Sequence, residues 1–116
     1  MNRGYLERYL AGFKESEPCY PFGPEALVYK IKGRMFALVA QDDVPPRLTL
    51  KCHPADGAIL TGQYRSIRPG YHMNKKHWIT ISLDDEVPDE LIEFLAQESY
   101  RLVVAKLPRS ERAGLV

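Results

Sequence analysis

One segment limits the choice of fold more than any other: "PDELIEFLAQESYRLVVAKLP", residues 88 to 108. Pro88 suits a helix start, and Asp89 and Glu90 lie where the positive end of the helix dipole favours acids. Leu91, Ile92, Leu95, Ala96, Ser99, Leu102, Val103 and Leu107 then form an apolar stripe of about five turns, which Pro108 ends. A helix with one apolar face needs a surface to cover. No run in the chain approaches the roughly 18 apolar residues of a membrane span. The surface therefore comes from the rest of the chain.

That remainder reads mostly as strands. "LVYKIKGRMFALVA" gives two strands joined at Lys32-Gly33, where glycine supplies the positive backbone angle of a tight turn. Met35 to Ala40 is apolar on both alternations, as a central strand is. "RLTLKCH" alternates: Leu48, Leu50 and Cys52 point one way, and Arg47, Thr49, Lys51 and His53 the other. "RSIRP" makes a fourth strand and "HWITISL" a fifth, with Ile79, Ile81 and Leu83 opposite Trp78, Thr80 and Ser82. Pro54 opens a short helix to about Thr61. Asn2 caps a first helix whose Tyr5, Leu6, Tyr9, Leu10 and Phe13 recur at helical spacing. "ESEPCYPFGPEA" is an ordered loop, broken by three prolines and a glycine.

The order α-β-β-β-α-β-β-α predicts a two-layer α+β domain: a largely antiparallel five-stranded sheet with helices on one face. With 116 residues the chain suits one domain, read as 1–108, with 109–116 as a flexible tail. The N-terminus lacks the apolar centre and cleavage site of a signal peptide, so the expected compartment is the cytoplasm. Cys19 and Cys52 are then most simply buried, neutral thiols, with Cys19, in the proline-rich loop, the weaker case of the two.

Charge is segregated along the chain. Residues 1–43 have zero net charge, residues 44–83 carry six basic residues against Asp56 alone, and residues 84–116 have a net charge of −4. A local positive field can thus coexist with an overall charge of +1. The densest part of the basic block is "PGYHMNKKHW", residues 69 to 78. Pro69, Gly70 and Asn74 are turn residues, and the loop can be read as a well-tied turn. It also combines cations with rings, the pairing that nucleic-acid surfaces use for phosphates and stacked bases.

"YPFGPEALVYKIKGRMFAL" (20–38), "LTLKCHP" (48–54), "IRPGYHMNKKHWITISLD" (67–84) and "ESYRLVVAKLP" (98–108) closely resemble the MmcQ/YjbR family of small bacterial proteins. "PGYHMNKKHW" is the most specific piece. The resemblance implies a secretion-chaperone and CyaY-like (frataxin-type) architecture. It also implies DNA binding, the role by which members are usually described. It supplies no catalytic residues.

The expected nucleic-acid surface comprises Arg47, Lys51, Arg65, Arg68, Tyr71, His72, Asn74, Lys75, Lys76 and Trp78 on the open sheet face and its loop. The expected partner is DNA, bound weakly and in a salt-sensitive way, by a monomer or weak homodimer without cofactor or membrane. Protonation of His72 and His77 would strengthen that binding at mildly acidic pH. The alternative is a protein-interaction or self-associating module. A metal site is disfavoured, because Lys75 and Lys76 would repel a cation beside His72 and His77. Enzyme chemistry is disfavoured too: neighbours on a strand point to opposite faces, so His53 cannot activate Cys52.

Overall fold

A computed structural model describes residues 1–70 and 73–115. The chain runs α1 (Arg3–Ala11), β1 (Ser16–Cys19), β2 (Ala26–Ile31), β3 (Arg34–Ala40), β4 (Arg47–Lys51), α2 (Pro54–Gln63), β5 (Ile67–Pro69), β6 (Trp78–Ser82), α3 (Asp89–Ala105) and α4 (Arg109–Arg112). The strands form one antiparallel sheet in the order β1-β2-β3-β4-β6-β5. The α+β class is as expected, but there are six strands rather than five. The extra one is β1, inside the proline-rich stretch read as loop. As an edge strand it tolerates Pro18, whose missing N–H takes nothing from the ladder with β2.

Local chemistry sets the other boundaries. Asn2 caps α1 by accepting a 2.8 Å bond from the Tyr5 N–H. Lys32 and Gly33 both have positive φ, at 51° and 80°, the conformation that closes a two-residue hairpin. Lys32 also pairs with Glu15 at 2.8 Å, tying the hairpin tip to the start of β1. Pro54 begins α2, and the His53 Nδ1 accepts from the Ala55 N–H at 3.3 Å.

One face of the sheet is covered. Helix α3 crosses β2, β3 and β4, while α2 lies on β5 and β6. Leu27, Tyr29, Ile31, Val39, Leu48, Leu50, Ile79 and Ile81 point into this layer and meet Leu6 and Leu10 from α1. Between the pairs Tyr29–Ala37 and Lys30–Met35 the register shifts, leaving Phe36 without a partner on β2. This bulge turns Phe36 inward, where its ring packs edge-on against Phe13 and Tyr100. After Pro108, where a loose tail was expected, the chain turns through α4 and buries Leu115 in the core. No helix among the described residues is long and apolar enough to cross a membrane.

Ser99 joins the two layers. Its buried hydroxyl donates to the Phe36 carbonyl at 2.6 Å and accepts from the Lys51 N–H at 2.9 Å. Ser99→Ala leaves both backbone groups without that partner, which should cost about 1–3 kcal/mol. The midpoint of urea unfolding should fall accordingly, with an unchanged slope.

Candidate nucleic-acid interface

The uncovered face is organised as rows of side chains across the strands. The central row runs Cys19, Val28, Leu38, Thr49, Thr80, Arg68. On one side lie Ala26, Ala40, Arg47 and Ser82; on the other, Lys51 sits directly opposite Trp78. The Thr49 and Thr80 hydroxyls share a buried 2.9 Å hydrogen bond. The alternation of β4 and β6 was therefore legible, and Arg47, Lys51, Arg68 and Trp78 all project from this face.

They do not form one cluster. Arg47 lies at the Ser82 end, with its Nε 2.7 Å from Asp43 Oδ2. Arg65 precedes β5 toward the same end, where Glu86 accepts from its backbone N–H at 3.3 Å. Lys51, Lys75, Lys76 and Trp78 lie toward the other end, with Arg68 between. Tyr71 and His72 fall outside the described residues.

The loop between β5 and β6 is tightly tied. The Gly70 N–H donates to the Trp78 carbonyl at 2.7 Å, and the Asn74 carbonyl accepts from His77 and Trp78. Asn74 also accepts the Lys76 N–H at 2.9 Å through its side chain, an Asx turn. A side chain on Gly70 would approach the Trp78 Cβ to 2.7 Å, so glycine is needed there for space. The Lys75 ammonium donates to the Gly70 carbonyl at 3.2 Å. The turn thus aims both lysines, which overhang a shallow recess of about 220 Å³ beside Pro54 and Gly57 of α2.

Lys51 is the electrostatic centre of this end. Its ammonium lies 5.7 Å from the Trp78 ring centroid. Burial lowers its pKa, and the positive charges of Lys106 and Arg34 lower it further. Among the described residues Lys51, Arg68, Lys75 and Lys76 have no carboxylate partner, whereas Arg47 has Asp43. The sequence reading missed Arg34 and Lys106. They come from a hairpin and from the end of α3, and no local pattern links them to Lys51.

The remaining candidate chemistry is in ordinary structural use. Cys52 faces the core side, and burial pushes its thiol up to about 11, while the exposed His53 caps α2. Asp84 receives the Ser66 hydroxyl, and Glu86 the Ser66 N–H at 2.7 Å; both carboxyls are held below their usual range by these bonds. No group of three or more metal-binding side chains occurs among the described residues.

The YjbR family model matches residues 11–102. The chain belongs to the YjbR family. It is 41% identical over 96 residues to the uncharacterised protein YbdF of Escherichia coli O157:H7, covering 83% of this chain and 79% of that one. It is 36% identical over 92 residues to the uncharacterised protein YjbR of Escherichia coli K12, covering 79% and 78%. The crystal structure of Deinococcus radiodurans DR2400, with a DUF419 domain, superposes with a TM-score of 0.92 at 40% identity, covering 98% of this chain and 87% of that one. A Pseudomonas syringae protein superposes with a TM-score of 0.77 at 27% identity, covering 88% and 98%.

The Cys52 environment makes a direct prediction. A thiol pKa near 11 instead of 9.0 lowers the thiolate fraction at pH 8 about a hundredfold. Iodoacetamide should leave Cys52 unmodified in the folded protein and label it after denaturation, as peptide mass spectrometry would show.

Proposed function

We propose that the chain is a non-enzymatic, cytoplasmic nucleic-acid-binding protein that contacts phosphates through the Lys51–Trp78 end of its open sheet face. The observation that carries this reading is that Lys51, opposite Trp78, shares its end of the sheet with Lys75 and Lys76, and that none of the three has a carboxylate partner among the described residues. Like charges held together are relieved by a bound polyanion, whose phosphates replace the missing partners. Arg68 and the loop lysines extend this field along the same end, and the half-buried Trp78 offers a ring for a base or sugar. Arg47 drops out of the expected contact set because Asp43 already pairs with its guanidinium, and Arg65 because it lies toward that same far end. The two free cysteines support the cytoplasmic part of the reading.

Four phosphate contacts, from Lys51, Arg68, Lys75 and Lys76, give a log–log salt slope near −3.6 on duplex DNA, at about −0.9 per phosphate. Fluorescence anisotropy across a salt series measures it. Lys75→Ala with Lys76→Ala should reduce the slope by about 1.8 and weaken binding broadly across sequences. Arg47→Ala should leave affinity unchanged. A flat titration with DNA and RNA, or equal loss from Arg47→Ala, retires the interface. Heparin in parallel separates nucleic-acid preference from general polyanion affinity.

Self-association is a second reading, favoured by the groove between α2 and α3. Ile59 and Phe94 stand 59% and 54% exposed beside this recess of about 400 Å³. Apolar projections and the hollow between them share one surface, which a two-fold axis can mate with a second copy. Its rim carries both signs, Asp56 and Glu98 with Arg101, as a self-complementary interface requires. Light scattering should then report twice the 13.3 kDa chain mass, falling to one for Phe94→Asp. A wild-type monomer at every concentration rules this reading out.

A further inference from the structure

The central row of the open face also floors a larger hollow, distinct in charge from the Lys51 end. It measures about 700 Å³, within the roughly 300–1,000 Å³ of small-molecule sites. Leu38, Thr49 and Thr80 form its floor beside Ala26 and Ala40, whose small side chains leave depth between β2 and β4. Phe22 and Met73 supply apolar walls from two separate loops. Phe22 is 67% exposed, an uncommon placement for a phenylalanine.

The rim fixes the class of ligand. Glu25, Asp42, Asp43 and Arg47 all border the hollow. The 2.7 Å contact between Arg47 and Asp43 joins one of these carboxylates to the guanidinium. Glu25 and Asp42 have no ion-pair partner among the described residues, so the rim is negative. An anionic ligand would be repelled here, which separates this hollow from any phosphate surface at the other end. The bonded pair of threonine hydroxyls is the only polar feature of the named floor.

We infer that this hollow binds a small amphipathic cation. Its aliphatic or aromatic body lies against Leu38, Phe22 and Met73, and its ammonium head meets Glu25 and Asp42. The proposal is independent of nucleic-acid binding, because it uses a different set of side chains and the opposite charge.

The test is amide NMR on the full, isotope-labelled chain with three probes of one shape: 2-phenylethylammonium, 2-phenylethanol and 3-phenylpropanoate. The ammonium should give saturable shifts centred on Ala26, Leu38, Thr49, Met73 and Thr80. It should bind about fivefold tighter than the alcohol, the size of one favourable surface ion pair, and the carboxylate should bind weakest. Glu25→Gln with Asp42→Asn, both at exposed positions, should erase the preference for the ammonium while keeping alcohol binding. Ala40→Leu should weaken all three probes by filling the floor. Three outcomes overturn the proposal: no saturation up to the solubility limit, a carboxylate that binds as well as the ammonium, or shifts centred on Lys51 and Trp78. Oligonucleotide affinity measured with saturating 2-phenylethylammonium should not change, so each site can fail without the other.

Discussion

The bridge made by Ser99 is the interaction on which both layers depend. The β3–β4 ladder ends at Ala37 and Leu50, just where the bulge displaces Phe36. The Phe36 carbonyl and Lys51 N–H would then lie inside the protein without partners, a cost comparable to a lost buried hydrogen bond. A hydroxyl from the middle of α3 satisfies both and fixes the helix against the sheet. It also holds the backbone of Lys51, so the residue at the centre of the positive end is anchored from behind by the long helix.

The two ends of the open face differ in charge. The bulge frees Phe36 to fill the aromatic cluster with Phe13 and Tyr100. At the opposite end of β4, Asp43 four residues before Arg47 neutralises what would have been a second cationic centre. One strand of five residues therefore carries, at one end, a cation with no carboxylate partner among the described residues and, at the other, a paired one.

Much of this was legible where a period repeats. The alternation of β4 and β6 identified the covered and open faces, and the stripe on α3 identified the helix that does the covering. Resemblance in four sequence blocks pointed to the family that comparison then showed. The edge strand β1 was missed because its proline reads as a loop signal, although the edge of a sheet accepts one. The basic residues divide between two ends of the face, and linear charge counting ignores both that division and the carboxylate that folds back onto Arg47. Asp43 belongs to a stretch that sequence treats only as a turn, and Arg34 and Lys106 reach Lys51 through tertiary packing alone. The hollow on the open face had no sequence signal, since its walls come from segments about fifty residues apart (Phe22 and Met73).

Both outer margins of the sheet contain proline: Pro18 in β1 and Pro69 at the end of β5. A strand from another molecule docking there would meet a backbone position with no hydrogen to offer, and β5 is only three residues long. Growth of the sheet by edge-to-edge addition is thereby discouraged on both sides. Amyloid-like stacking starts from such margins, and prolines at both of them work against it.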